Sequence, residues 1–439
     1  MRLTRPLLTA LAFTLASAAG HVHAQSLQEL YEAARAYDAT FLAARSQAQA
    51  AEFRAEQAKA LKRPSAALNA NATASQIKTP VLSEGDSNTV GLELNGSYPL
   101  FNKANQASFD QAGKALLVAK ADLETAEQDL IVRVAQGYFD VLAAQDALST
   151  TRANKAAITE QLASAKRNFE VGTATITDTR EAQAKFDLAT AQEIAAENDL
   201  RTKRIALDQL VGRANVAPKG LVVPVVLPPV LPAEPETWVG RADAEHPLVR
   251  KARLGVDIAQ LETERARAAK WPTLDAVAAV GASDASGSSR SVVPGVTSRA
   301  SIGVRLNFPL YTGGASDNRI QETLALEDRS RNDLEAARRG VSQLTRQAYF
   351  GVQSGMAQVK ALEAAEASTK LALEATQLGY RVGVRVNLDV LNAQTQLFQT
   401  QRDLAKARYD VILGSLRLRQ ASGQLKPEDV LALNALLAK

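Results

Sequence analysis

The 439-residue chain contains no cysteine, only three histidines and two tryptophans, and aromatic residues make up just 5% of it. Without thiols there is no disulfide, no thiolate metal site, no cysteine nucleophile and no cysteine to carry a bacterial lipid anchor. Two of the three histidines, His21 and His23, fall within the first 24 residues, which leaves His246 alone in the remainder. One imidazole without thiols does not assemble a zinc site. Neither an enzyme nor a cofactor-bearing protein is expected. Basic and acidic residues nearly balance, 51 Lys+Arg against 47 Asp+Glu, and are spread along the chain, so the charge footprint of a nucleic-acid binder is missing. Hydrophobic residues still reach 46%. Few rings and many small aliphatic side chains suit helices packed closely through Ala, Leu and Val.

The first 24 residues read as a secretory signal peptide. Arg2 and Arg5 supply the positive start, Leu7 to Leu15 the apolar stretch, and Val22-His23-Ala24 the small-residue cleavage site before Gln25. No other run approaches the ~20 apolar residues of a membrane helix. Export without a helical membrane span is the expectation.

Proline is absent from the 118 residues between Pro99 and Pro218, and again from the 117 between Pro309 and Pro427. The two stretches also match in sequence. Gln136-Gly137-Tyr138-Phe139 precedes Gln347-Ala348-Tyr349-Phe350 by 211 residues, and Phe169-Glu170-Val171-Gly172 precedes Tyr380-Arg381-Val382-Gly383 by the same interval. Lys62-Arg63-Pro64-Ser65 pairs with Lys270-Trp271-Pro272-Thr273, and Tyr98-Pro99-Leu100-Phe101 with Phe308-Pro309-Leu310-Tyr311. Four matches in the same order point to an internal duplication. Each half then reads as helix, two strands, long helix, glycine turn, helix. The long helices are placed over 102–170 and 312–381, each spanning roughly 100 Å at 1.5 Å per residue, with coiled-coil packing through Ala, Leu and Val.

Four segments alternate strictly. Leu68 to Ser75 is the first. In the second, Val90, Leu92, Leu94 and Tyr98 alternate with Gly91, Glu93, Asn95 and Ser97. Leu274, Ala276, Ala278 and Val280 line one face of the third, and Ile302, Val304, Leu306, Phe308 and Leu310 that of the fourth. Segments near ten residues with this dyad repeat fit membrane barrel strands. On periodicity alone, a soluble antiparallel sheet resting on a core fits equally well. The signal peptide and the strand number favour the barrel. Four strands do not close one, and an open sheet edge does not face lipid, so several chains must share it. Three chains give twelve strands; two would leave an interior filled with side chains. Glu93 and Arg305, on the polar face, would point into the lumen.

The resulting fold class is an α+β membrane protein, with a twelve-stranded β-barrel shared by three chains and long helical rods that form a stalk or tube. Residues 1–24 form the signal peptide, 25–217 the first repeat, 218–235 a connector with six prolines, 236–423 the second repeat, and 424–439 a C-terminal tail. A proline-dense connector is extended and semi-rigid, and it is expected to pack with the tail around the outside of the helices.

From these features the chain resembles the TolC family of outer-membrane efflux and secretion channels. The resemblance rests on the doubled Phe-x-Val-Gly-(x)5-Asp and Tyr-x-Val-Gly-(x)5-Asp at 169–178 and 380–389. Leu388-Asp389-Val390-Leu391-Asn392-Ala393-Gln394 and the strand-end prolines accompany it. It implies a homotrimer whose twelve-stranded barrel in the bacterial outer membrane is continued by a twelve-helix α-helical tunnel, with most of the chain in the periplasm. It also implies a periplasmic adaptor and an inner-membrane transporter of the ABC or RND type as partners, serving efflux or type I protein secretion. The missing lipidation cysteine is similar to the non-lipidated members.

Site residues follow from the same resemblance. Val171, Gly172, Val382 and Gly383 match the hairpin turns at which adaptors engage. Thr177 and Asp178 match acceptors on one hairpin, and Tyr380 and Arg385 match donors on the neighbouring hairpin that hold the entrance shut. Gln161 matches one half of a further link, but Gln377 stands where that link has Glu. Asp389 matches the first of two aspartates at the constriction, with Asn392 replacing the second. A ring of three Asp389 carboxylates would draw cations to the opening. The alternative of another class is a non-conducting periplasmic scaffold of the cell envelope.

Overall fold

The computed structural model describes residues 24–77, 85–222, 224–288 and 294–438; the signal peptide, but for its last residue, lies outside them. The chain runs α1 (Leu27–Tyr37), α2 (Ala39–Lys59), β1 (Ser65–Ile77), β2 (Gly85–Phe101), α3 (Lys103–Glu170) and α4 (Ile176–Val211). It continues with α5 (Pro235–Glu245), α6 (Pro247–Ala268), β3 (Thr273–Gly287), β4 (Gly295–Asn307), α7 (Ala315–Arg381), α8 (Asn387–Ala421) and α9 (Pro427–Asn434). Placing α2–β1–β2–α3–α4 beside α6–β3–β4–α7–α8 reproduces the duplication.

The two long helices, 68 and 67 residues, start where the sequence supplies a start signal. Asn102 caps α3 by accepting from the Asn105 amide, and Gly314 opens α7 in a left-handed conformation. Neither helix contains a proline, so nothing interrupts the backbone ladder. Both end at a Val-Gly pair. Gly172 and Gly383 adopt φ of 77° and 79°, a region that Cβ-bearing residues avoid, and the chain reverses there into α4 and α8. In α8's second half and α3's middle, Phe139 stacks on Tyr409 with ring centroids 5.8 Å apart.

The four strands form one antiparallel sheet in the order β1-β2-β3-β4. They run 13 to 17 residues rather than about ten, because the ladder continues past the alternating core into polar ends such as the Ser65–Ser97 pair, whose hydroxyls lie 3.0 Å apart. Register puts Leu68 opposite Leu94, Leu94 opposite Val280 and Val280 opposite Ala300, so the apolar residues of all four strands share one face. That face is bare: Ile302 is 89% exposed. Asn69, Glu93, Gly281 and Arg299 form one row of the opposite, polar face. Arg305 shares this face but pairs with Asp275, nearer the helices. Glu93 and Arg305 therefore sit at different heights, and Arg299 stands at the level of Glu93. β1 and β4 each keep one unpaired edge.

The largest buried cluster lies at mid-length of the helices. It joins Leu27, Leu30 and Tyr31 of α1 to Ile131, Val134 and Tyr138 of α3, Leu416 of α8 and Leu433 of α9. The Tyr138 hydroxyl sits between the Lys219 and Gln25 carbonyls, 2.9 and 3.1 Å away, tying the connector to the start of the chain. Gln25 bridges Pro218, and Leu221 bridges Leu437, so connector and tail run together over this belt. Asp38 caps α2 through the Phe41 amide at 2.8 Å and receives both Arg133 guanidinium nitrogens at 2.8 and 2.9 Å. The Arg133 hydrogen bonds hold its carboxyl well below the usual carboxylate range, outweighing the opposing effect of burial. His246 caps α6 by accepting from the Leu248 amide at 3.1 Å; burial pushes its pKa down, keeping the imidazole neutral. It is a structural histidine.

Candidate gate at the tips of the helical hairpins

The two hairpins, α3–α4 and α7–α8, end side by side, and the matched motif residues cluster in their last turns. Each turn closes by the same hydrogen bonds. The amides of Thr173 and Ala174 donate to the Asn168 carbonyl at 2.8 and 3.1 Å, and those of Val384 and Arg385 donate to Gly379 at 2.9 and 3.1 Å. Both sets satisfy carbonyls that the helix end leaves unpaired. The turns present apolar side chains to solvent. Val171, Ile176, Val382, Val384 and Val386 are all exposed, and an added Cβ at Gly172 or Gly383 would meet nothing within 4 Å. Within the single chain, nothing among the described residues covers these turns.

The polar residues divide into local and cross-hairpin contacts. Asp178 serves its own helix: it closes a capping box with Thr175, accepting from the Thr175 amide at 2.9 Å and hydroxyl at 2.7 Å. Thr177 is exposed beside it. Arg385, in the turn before α8, reaches Asp389 in the first turn of that helix at 3.6 Å, with both side chains exposed. Within the single chain, among the described residues, Asp178 therefore meets neither Tyr380 nor Arg385. Tyr380 instead meets Asn168: the Asn168 amide donates to the Tyr380 hydroxyl at 3.3 Å, joining the end of α3 to the end of α7. A second bridge joins α4 to α8, where the Lys185 ammonium donates to Asn392 Oδ1 at 3.1 Å. Gln161 and Gln377 are half-buried on α3 and α7.

Beneath the tip, a small core of Ile158, Leu162, Ala165, Ala182, Ala189 and Leu391 holds α8 against the α3–α4 hairpin. Asn387 and Gln394 lie on the same face of α8 as Leu391. Both are 97% buried, and neither of the Asn387 amide atoms nor Gln394 Nε2 finds a partner among the described residues. An unpaired buried amide costs about 1–3 kcal/mol, so this seam is held less tightly than its burial suggests.

Asn168 and Lys185 were not legible as site residues. Asn168 stands one position before the motif's Phe169, and a repeat comparison sets it against Gly379, which shows nothing of its role. Lys185 lies two turns into α4 with no motif around it. Among the described residues no three His, Asp or Glu side chains converge as metal ligands, and no helix is long and apolar enough to cross a membrane.

The family described as "Outer membrane efflux protein" matches the chain twice, over residues 30–213 and 238–424. The outer membrane protein TolC of Vibrio cholerae is 33% identical over 96% of this chain and 95% of its own length. The alkaline protease secretion protein AprF of Pseudomonas aeruginosa is 34% identical over 76% of this chain and 69% of its own. Among solved structures, CusC superposes with a TM-score of 0.79 at 18% identity, covering 91% of this chain and 92% of that one. The outer membrane protein VceC of Vibrio cholerae gives 0.75 at 21%, covering 90% and 96%. At those identities the superpositions speak for the fold.

Proposed function

The chain belongs to the outer membrane efflux protein family, and from that premise we propose that it is one third of a trimeric export duct, gated where its helical hairpins end. The observation that carries this reading is the sheet. Four antiparallel strands with an exposed apolar face and two unpaired edges are not stable alone in lipid; three copies joined β4 to β1 close a twelve-stranded barrel with no free edge. The polar row of Asn69, Glu93 and Arg299 then lines the lumen, with Arg305 nearer the periplasmic end. The long helices continue that lumen for roughly 100 Å, which leads it across the periplasm.

The duct performs no chemistry. Energy comes from an inner-membrane transporter, of the ABC or RND type, joined through a periplasmic adaptor. The adaptor seats on the exposed tip at Val171, Gly172, Val382 and Gly383. The entrance closes through contacts between hairpins, with Tyr380 held by Asn168 within each chain and Thr177, Asp178, Arg385 and Gln161 around that bridge, and it narrows at Asp389 and Asn392. Relatives named for protease secretion and for efflux support either cargo class. No observation favours the scaffold alternative, which has no use for a bare apolar strand face.

Purified protein in a planar bilayer tests the reading. A heat-modifiable trimer with discrete conductance steps is expected. A monomer that keeps its β-structure in detergent and forms no pore would overturn it.

A further inference from the structure

We propose that Lys185 sets the charge of the constriction, so that the entrance does not act as a cation filter despite its Asp389 ring. The inference rests on the duct reading above, with Asp389 and Asn392 at the narrowest level, and adds a residue that the motif does not contain. Lys185 Nζ donates to Asn392 Oδ1 at 3.1 Å. Asn392 is three residues after Asp389 on α8, so the ammonium stands one turn deeper than the carboxylate. Asp389 already has Arg385 beside it, one turn nearer the tip at 3.6 Å. Each chain therefore sets two cations, Arg385 and Lys185, on either side of Asp389 along the constriction.

The lysine's charge is not spent elsewhere. Glu181 lies one turn before it on α4, but among the described residues no carboxylate comes within 4.0 Å of Lys185. Asp187, two residues on, accepts instead from Gln183 at 2.9 Å. Asn392 is the reason the lysine points where it does. Its amide carbonyl accepts the ammonium without neutralising it, whereas a carboxylate at 392 would form an ion pair. Asn392 is thus a positioning residue, and the pair converts the second acidic level into a basic one. Threefold symmetry repeats this around the opening. A unit charge about 4 Å from a permeating ion changes its occupancy roughly 5-fold even in bulk-water dielectric, and three such charges act on the same narrow passage. The constriction accordingly suits anionic solutes or acidic polypeptide.

The absence of cysteine from the chain allows a test within one protein. Lys185→Cys trimers would be recorded in planar bilayers under a KCl gradient, then treated with a cationic or an anionic methanethiosulfonate reagent, alongside wild type and Lys185→Gln. Wild type is expected to show a cation-to-anion permeability ratio near or below one. Lys185→Gln should raise it about 5-fold or more and strengthen block by hexamminecobalt. On Lys185→Cys, the cationic reagent should restore the wild-type ratio and the anionic reagent should raise it further. Conducting trimers whose reversal potential and block are the same in wild type, Lys185→Gln and both labelled forms would overturn the proposal and leave the duct reading standing. No conductance from wild type would overturn the duct reading and the proposal with it.

Discussion

Removing the Tyr380 hydroxyl separates two descriptions of what keeps the entrance shut. In this structure the hydroxyl accepts from Asn168 on the other hairpin at 3.3 Å, while Asp178, the acceptor implied by the motif, is occupied in its own helix cap. A neutral hydrogen bond contributes about 0.5–1.5 kcal/mol net. The 3.3 Å separation is at the long end for an N–H donor and the site is half-exposed, which selects the lower part of that range. Three symmetry-related copies opening together lose roughly 1.5–3 kcal/mol, or about 10- to 100-fold in the ratio of closed to open entrances. Tyr380→Phe should therefore raise the open probability of single channels by that factor, and Asn168→Ala should do the same. The double variant should add little to either, since both remove one contact. Asp178→Asn, which keeps the side-chain oxygen that caps α4, should leave gating near wild type. If instead Asp178→Asn opens the channel and Asn168→Ala does not, the Asn168–Tyr380 bridge is not the latch and the partner lies across a chain boundary.

The remaining expectations concern stability and the membrane face. Asp38→Ala removes a helix cap and both guanidinium bonds; with Arg133 partly exposed, the loss should be about 2–3 kcal/mol, read as earlier thermal dissociation of the trimer at neutral pH. Because the folded carboxyl titrates below its unfolded value near 4, this gap should be constant above about pH 5 and shrink as pH falls through the folded value; a gap that widens in acid would contradict the pairing. Tyr138→Phe leaves the Lys219 and Gln25 carbonyls without their shared donor, and the 218–235 connector should become cleavable at protease concentrations that spare wild type. Ile302→Arg places a charge on the bare apolar face and should cost about 2–4 kcal/mol, blocking heat-modifiable folding into lipid. Ser301→Arg, on the polar face, should fold normally, and equal damage by both would reverse the assignment of faces.

Much of this molecule is determined by local sequence. The long helices begin and end within three residues of the 102–170 and 312–381 read from sequence, because nothing but proline, glycine or a cap ends a helix whose side chains suit it. The strand faces follow from strict alternation, since the side-chain period of a strand is two whatever its partners are. The hairpin turns follow from Val-Gly at 171–172 and 382–383, where only glycine takes the left-handed backbone cheaply. The tertiary structure decided which side chains meet. Asn168 finds Tyr380 across 212 residues and Lys185 finds Asn392 across 207, while Asp178 stays with Thr175 three positions away. Glu93 shares its height with Arg299 and not Arg305 for the same kind of reason: antiparallel register, set by where the ladder begins, fixes the rows. Periodicity reports the direction of a residue about its own axis. It does not report how far one hairpin slides or turns against the next, and that displacement is set by the buried belt around Tyr138 and the small core around Leu391, where side chains from helices distant in sequence pack together.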